Sequence, residues 1–322
     1  MACGAEISVD ITLDADLVCE KGPALIIVAD GVNVDLGGHT VEGGARFGSD
    51  GPGILLRNVS GCTVRNGTVQ KFEAGVAVEG GAGNVIEGLT VQDNLGTPDS
   101  DYGDGIVINA SRDNVVRGNT VRRNGPFSGI SLGRGAAGNE ISDNTVADNN
   151  MSHVPYPDAG RQTMGIRVEG PEASHNRIIG NTVTASGCDG IVVLATCDTP
   201  GDEPPCAGTP PNEHNEIAGN TSSNNGTSGR GCGIRLFSMP LPMPPIHNSV
   251  HDNVCDDNTS YGVALDGLPL RSPGNRAYGN RAHGNGEFDG SDGTLMPPCG
   301  RNEWEDNDFG TVNQPCVERR GG

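Results

Sequence analysis

Short apolar segments with an alternating pattern recur along most of the chain. Each opens with glycine and continues with an aliphatic residue, a variable residue and a second aliphatic residue, as in Gly105-Ile-Val-Ile. Residues two apart lie on the same side of a β-strand, so each segment predicts a short strand with two inward aliphatic side chains. The segments begin at Gly53, Gly75, Gly105, Gly129, Gly165, Gly190, Gly233 and Gly262.

A polar phrase with asparagine at both ends separates these strands. It reads Asn176-Arg-Ile-Ile-Gly-Asn181 in one copy, and a third short strand follows its second asparagine, as in Thr182-Val183. An asparagine repeated at an inward turn position can bond backbone groups and its own copies in neighbouring coils. The phrases begin at Asn84, Asn114, Asn139, Asn176, Asn215, Asn248, Asn275 and Asn302, with spacings of 30, 25, 37, 39, 33, 27 and 27 residues.

Three short strands per repeat leave no room for a crossover helix, so each repeat should form one turn that pairs in parallel with its neighbours. We therefore expect an all-β protein, a single-stranded right-handed parallel β-helix of roughly ten coils with an asparagine ladder and loop insertions on one side. A helical repeat would instead show apolar spacings of three and four and would avoid so much glycine and asparagine.

Over about residues 25 to 310 these repeats resemble those of the pectate-lyase-like superfamily and of secreted NosD-like proteins, and the stretch from Asp35 to His39 is similar to their first coils. The resemblance implies a polysaccharide lyase, hydrolase or epimerase, or one of the non-catalytic members. It implies a substrate class and leaves the reaction open. We expect one domain, with residues 1–24 as a cap, 25–310 as coils and 311–322 as a tail.

The net charge limits the possible binding partners, and the cysteine content indicates the cellular compartment. The net charge of −20 excludes nucleic-acid binding through a basic stripe, and it disfavours a strongly anionic substrate unless arginines gather locally. No membrane-spanning apolar run is present.

Ten cysteines indicate an oxidising, extracellular compartment. The expected pairs are Cys3–Cys19, Cys197–Cys206 and Cys299–Cys316, with Cys62 and Cys255 buried and unpaired. We expect a secreted monomer.

Four insertions lengthen the repeats, and all four border the glycine-led strands. They span residues 95–104, 150–164, 195–213 and 238–246. Insertions in solenoids build walls around a binding surface, so the outward side of this strand stack is the predicted cleft. Its predicted substrate-binding residues are Arg167, Arg235, Asn109, Glu169 and Asp266. The two arginines could grip a carboxylated sugar, or they could simply be solvated or ion-paired.

The second insertion gathers His153, Tyr156, Asp158 and Arg161 beside the predicted cleft. A base, a proton donor and a neutralising cation are what β-elimination or epimerisation next to a uronate carboxylate requires. The alternative is a polar loop with turns at aspartate and proline.

Two further catalytic candidates, Asp104 and Asp189, each precede a glycine-led strand. Paired carboxylates could act as acid and base in a glycoside hydrolase or could hold Ca²⁺. The alternative is that Asp-Gly forms the bend into the strand. No cofactor is required by the sequence. The motifs of polygalacturonases are absent, which argues against that kind of hydrolase.

His175, His214 and His247 each precede the first asparagine of a phrase, so they should stack in a column on successive coils. Such a column could bind a transition metal, or the imidazoles could be turn fillers. Together these features predict a polysaccharide-acting enzyme, with lyase or epimerase chemistry ahead of hydrolysis. The alternatives are a non-catalytic glycan-binding or structural solenoid, and a metal-binding protein.

Overall fold

The chain winds into a right-handed parallel β-helix in which most turns contribute one strand to each of three stacks. A computed structural model describes residues 1–44, 49–96, 102–151, 163–196, 210–238, 245–266, 274–294 and 297–318. All strand pairs in these ranges are parallel, as the short repeats predicted.

The eight glycine-led strands lie in the first sheet, which contains eleven strands in the described part of the chain. In stacking order they are β1 (Ala5–Ile7), β4 (Leu25–Ile27), β7 (Ser49–Arg57), β9 (Phe72–Glu79), β11 (Asp104–Asn109), β14 (Ser128–Leu132), β17 (Met164–Glu169), β20 (Ile191–Ala195), β23 (Ile234–Ser238), β25 (Tyr261–Leu265) and β28 (Phe288–Asp292).

The polar phrases contribute most strands of the second stack, and the segments after their second asparagine contribute most strands of the third. The second contains β2 (Ile11–Thr12), β5 (Asn33–Asp35), β12 (Val115–Arg117), β15 (Glu140–Ser142), β18 (Arg177–Ile179), β21 (Glu216–Ala218), β24 (Ser249–His251), β26 (Arg276–Tyr278) and β29 (Glu303–Glu305). The third contains β3 (Leu17–Cys19), β6 (Thr40–Gly43), β13 (Thr120–Arg122), β16 (Thr145–Ala147), β19 (Thr182–Thr184), β22 (Thr221–Ser223), β27 (Arg281–Ala282) and β30 (Asp308–Phe309). Two longer strands, β8 (Thr63–Gln70) and β10 (Val85–Gln92), take part in both stacks.

Aliphatic side chains fill the tube in columns that run from coil to coil. Ile106 pairs with Ile130, which pairs with Ile166, and Ile166 pairs with Ile191. These four side chains are fully buried. Because equivalent positions repeat at about 4.8 Å, each column is a continuous apolar contact through the interior.

The glycine that opens each first-sheet strand lies where the wall leaves no room for a side chain. A Cβ on Gly105 would lie 2.6 Å from the Gly129 carbonyl oxygen and 2.6 Å from a methyl of Val121. Similar clashes with backbone or core atoms would occur at the equivalent glycines, which are Gly53, Gly75, Gly129, Gly165, Gly190, Gly233 and Gly262. We call this row the glycine column.

Asparagine ladders bond the coils together at three corners. In the first ladder, Asn176 donates from Nδ2 to Asn215 Oδ1 at 3.0 Å, and Asn215 donates in the same way to Asn248. This confirms the stacking predicted for the first asparagine, and the second asparagines form an equivalent ladder through Asn181. The third ladder was not predicted; its asparagines are Asn94, Asn124, Asn149, Asn225, Asn258 and Asn285.

Two disulfides lie near the ends of the tube. Cys3 is bonded to Cys19 and Cys299 to Cys316, as expected, while Cys197 and Cys206 lie outside the described residues. Strands β1 to β3 already pair with the strands of the following coil, so residues 1–24 form a coil themselves. A 3-10 helix, Pro315–Glu318, lies at the other end. Within the described ranges, no helix is long and apolar enough to span a membrane.

Candidate functional site

The outward side of the first sheet carries two arginines at the same level of neighbouring coils. Arg167 pairs in register with Val192, and Val192 with Arg235, so the arginines stand two strands apart, about 10 Å. The parts of the four insertions within the described residues border this sheet. The remaining parts, residues 97–101, 152–162, 197–209 and 239–244, lie outside the description.

Arg167 lies in a depression of about 340 Å³ on strands β11, β14 and β17. Its Nη1 is 2.7 Å from Glu169 Oε2, and its Nη2 is 3.7 Å from Asp104 Oδ1. The guanidinium carbon is 5.6 Å from the centre of the Phe127 ring. Asn109 also lines this hollow, which we call the Arg167 depression.

Arg235 repeats this arrangement with different partners. Its Nη2 is 2.6 Å from Asp266 Oδ2, its Nη1 is 4.0 Å from Asp189 Oδ2, and its guanidinium carbon is 4.2 Å from the centre of the Phe237 ring. Each arginine therefore contacts one buried aspartate, one more exposed carboxylate and one aromatic ring. Such a unit offers fixed hydrogen-bond donors beside a flat apolar surface, a combination suited to sugars.

The two buried aspartates are held in unusual surroundings. Burial raises the pKa of Asp104, and the positive charge of Arg167 opposes this rise. Burial likewise raises the pKa of Asp189, against the charge of Arg235. Asp104 Oδ1 and Asp189 Oδ2 are buried and accept no hydrogen bond from any described residue. The Asp-Gly bend thus also positions a carboxylate next to an arginine.

A second hollow of about 550 Å³, the Arg235 depression, lies at the start of strands β20, β23 and β25. Arg230, Tyr261 and Glu287 line it together with Asp189 and Arg235. Tyr261 Oη donates to Glu287 Oε2 at 2.7 Å, and this bond, with burial, raises the pKa of Tyr261 to about 12. Arg230 is exposed and forms no ion pair with any residue that the structure describes.

Arg230, Tyr261, Glu287 and Phe127 were not predicted from the sequence. For Tyr261 a signal existed: it immediately precedes the glycine of its strand, as Asp104 and Asp189 precede theirs. Reading that position along all coils would have placed the tyrosine in the same row as the two aspartates. Arg230 follows no repeat position that we recognise.

The predicted site residues are only partly brought together. Arg167, Asp104, Asn109 and Glu169 share one depression; Arg235 and Asp189 line the other, with Asp266 bonded to Arg235. The arginines do not converge on one point. His153, Tyr156, Asp158 and Arg161 lie outside the described residues. His175, His214 and His247 stack as expected, but at the turns between the first and second stacks.

Comparisons with known proteins support this architecture. The family described as right handed beta helix region matches residues 25–183. The A-module of the Azotobacter vinelandii mannuronan C-5 epimerase AlgE4 is 15% identical, with a TM-score of 0.64 over 100% of this chain and 84% of its own. Pectate lyase Pel9A is 12% identical, with a TM-score of 0.61 over 98% of this chain and 79% of its own.

A third similar structure is a tailspike protein of an E. coli bacteriophage, in complex with a pentasaccharide. It is 10% identical, with a TM-score of 0.62 over 98% of this chain and 55% of its own. No curated protein matches the sequence significantly. At these identities the structural similarities show the fold and leave the activity open.

Proposed function

We propose that this chain, a right-handed parallel β-helix with the pectate-lyase-like fold, is a secreted protein that acts on an acidic, uronate-containing polysaccharide by lyase or epimerase chemistry. Pectate lyase and mannuronan epimerase have names that specify uronate polymers, and both share this fold. The two terminal disulfides are consistent with an oxidising compartment.

The Arg235 depression carries the proposal. It combines an exposed arginine, Arg230, which has no ionic partner among the described residues, with a protonated phenol, Tyr261, beside the partly exposed Arg235 and the buried Asp189. In a protein of net charge −20, a local cation is what an acidic sugar needs to approach. Bound to Arg230, the sugar carboxylate would be partly neutralised, which lowers the barrier to removing the proton on the adjacent carbon.

Lyase and epimerase reactions share their first step. A base takes the proton from the carbon next to the carboxylate, and His153 is the candidate base from the sequence. In a lyase the electron pair then forms a carbon–carbon double bond as the glycosidic oxygen departs with a proton. In an epimerase the carbon regains a proton on its opposite face. Tyr261 is protonated at neutral pH and can donate its proton, although its raised pKa makes it a weaker acid than a free tyrosine.

The experiment is an incubation of the whole protein with uronate polymers of several types, with and without Ca²⁺. Ultraviolet absorbance of an unsaturated uronate identifies a lyase. Deuterium incorporated from heavy water without that absorbance identifies an epimerase. New reducing ends without either signal would show hydrolysis and would contradict the proposed chemistry.

Tyr261→Phe provides the test of the proton donor. We expect it to lower turnover by about 10²-fold or more, because general acid catalysis typically contributes 10²–10⁴-fold, and to leave substrate binding largely intact. Tyr278→Phe on the second stack is the matched control and should keep full activity. Equal activity of the two variants would remove Tyr261 from the mechanism.

A non-catalytic glycan-binding protein is the second candidate, and one observation favours it. Arg167 and Arg235 are already ion-paired, so they present fixed donors beside Phe127 and Phe237 instead of free charge. Saturable binding of an acidic oligosaccharide with no product in any of the three assays would establish this alternative.

A further inference from the structure

Three histidines form an exposed column on the turns between the first and second stacks. His175 stacks on His214 with ring centres 5.1 Å apart, and His214 stacks on His247 at 5.5 Å. The side chains of His214 and His247 are 50% and 57% exposed, so their ring nitrogens are accessible to solvent. This corner is separate from the two arginine depressions and plays no part in the proposed glycan chemistry.

The backbone holds these histidines in one repeated conformation. Their φ angles are 58°, 56° and 55°, in the left-handed region. Each is followed by an asparagine of the first ladder, and the asparagines are bonded amide to amide at 3.0 Å. The Cα atoms therefore recur at about the strand spacing of 4.8 Å, and only the side-chain torsions remain free.

Glu213 adds a carboxylate to the column. Its Oε2 lies 3.8 Å from His214 Nε2 and 3.9 Å from His247 Nδ1. One nitrogen of His214, one nitrogen of His247 and one oxygen of Glu213 all lie within 4.8 Å of one another. The contacts to the carboxylate are too long for hydrogen bonds. They are close to the separation of about 3 to 4 Å between donors that share one ion at 2.0–2.2 Å.

We propose that Glu213, His214 and His247 bind one divalent transition-metal ion of the Zn²⁺ or Cu²⁺ type. Two imidazoles and a carboxylate are a donor set that these ions accept, whereas Ca²⁺ prefers oxygen ligands only. Small rotations of the exposed rings bring the three donors to bonding distance. His175 packs against the ring of His214 and supplies no ligand. At least one coordination position remains for water or an outside ligand.

Calorimetric titration of the metal-free whole protein with Zn²⁺, and separately with Cu²⁺, tests the site. We expect one ion per chain, no displacement by Ca²⁺, and weaker binding as the pH falls because protons compete for the imidazole nitrogens. The Cu²⁺ complex should show nitrogen hyperfine coupling from two imidazoles in its electron paramagnetic resonance spectrum. Absence of saturable binding of both ions would overturn the proposal.

Asparagine substitutions separate this site from adventitious binding elsewhere, because asparagine tolerates the left-handed backbone conformation. His214→Asn and His247→Asn should each weaken binding by at least about tenfold, and Glu213→Gln should weaken it in the same direction. His175→Asn and His283→Asn are the matched controls and should bind nearly as the parent does. Unchanged affinity in His214→Asn and His247→Asn, or an equal loss in His175→Asn, would contradict the three-ligand set. Thermal unfolding checks that each variant is folded.

Discussion

Asp104 and Asp189 are buried carboxylates, and each lies near one arginine on the outward side of the first sheet. A buried acid near a cation carries two opposing effects, since burial favours the protonated form and the cation favours the charged form. At both aspartates burial prevails, so the pKa is raised. These groups therefore bind protons more readily in the folded state than in the unfolded state.

The raised pKa of Asp189 predicts how stability changes with pH. A group with a folded pKa above its unfolded value stabilises the fold at low pH, and this contribution is lost as pH rises through the folded pKa. Relative to Asp189→Asn, the parent should therefore lose free energy of unfolding as pH rises above about 4. Urea denaturation of both proteins over a pH series measures the difference.

Asp289→Asn is the opposing control. Burial acts to raise the pKa of Asp289, but hydrogen bonds from Asn285 and Thr311 outweigh it, and the pKa is lowered. Its stabilising contribution should thus be present at neutral pH and be lost as pH falls through the folded pKa. Parallel pH curves for the two variants would contradict the opposite environments assigned to these aspartates.

Arg230 gives the second residue-scale prediction, which rests on the proposed function. Arg230→Gln should weaken binding of an acidic oligosaccharide by about tenfold, the effect of losing a charged hydrogen bond worth about 1.5 kcal/mol. Arg301→Gln makes the same change in net charge at another exposed position. If both variants bind equally well, the attraction comes from overall charge and Arg230 has no specific role.

Among the individual elements, the asparagine ladders add buried side-chain hydrogen bonds between neighbouring coils. Asn181 accepts bonds from the backbone and the side chain of Asn144, and it donates to Asn220 Oδ1 and to the Ile141 carbonyl. All of these groups are buried. Removing one amide therefore leaves several buried donors and acceptors without partners.

Asn181→Ala should lower the free energy of unfolding by about 2–4 kcal/mol, because each unsatisfied buried group costs about 1–3 kcal/mol. Thr182→Ala, at the next position but with an exposed side chain, should change it by less than about 0.5 kcal/mol. Denaturant unfolding measures both. A small effect for Asn181→Ala would mean that the ladder is redundant at this level.

The strands and the asparagine ladder of the repeated phrase could be predicted because each repeats at a fixed position within its coil. The alternation around Gly105 and the phrase from Asn176 to Asn181 specify a strand and its neighbours without knowledge of loop lengths. The third ladder was not predicted because the sequence prediction considered only the two asparagines of each phrase. Its signal is an asparagine five residues after the second, as in Asn119 and Asn124.

The site was less predictable for a physical reason. Partners such as Arg235 and Asp266 lie 31 residues apart, and their contact depends on how far each side chain reaches across the sheet. Register gives the rows of outward residues correctly, including Arg167 and Val192. Register alone does not show that an arginine will bond to a carboxylate instead of facing a groove, so the ion pairs had to come from the structure.

At the scale of the whole molecule, the first and the last coils that the structure describes differ in the residues that hold them together. At one end Asp292 is fully buried and accepts hydrogen bonds from Trp304 Nε1 and Asn302 Nδ2, both at 2.9 Å. The Cys299–Cys316 disulfide lies over the same end. At the other end, the Cys3–Cys19 bond joins the start of the first coil to its third strand.

Removal of the Cys299–Cys316 disulfide tests the role of this end. The double variant Cys299→Ser and Cys316→Ser should be less stable by about 3 kcal/mol, from the entropy of the opened loop. Hydrogen exchange should accelerate first in strands β28 and β29, because the 3-10 helix that carries Cys316 packs against these strands and each repeat contacts only its neighbours. Cys3→Ser with Cys19→Ser should instead expose strands β1 and β3. Uniform acceleration along the whole chain in both variants would indicate that the tube unfolds as one unit.

The glycine column also governs how such a tube can change its size. A side chain at any position of the glycine column would clash with the next coil. Insertion or deletion of part of a coil therefore disrupts the wall. Insertion or deletion of a whole coil keeps the same packing on both sides. Total height can therefore vary in increments of about 4.8 Å. Other changes in length are tolerated in the segments that connect the strands, because they leave the wall unaltered.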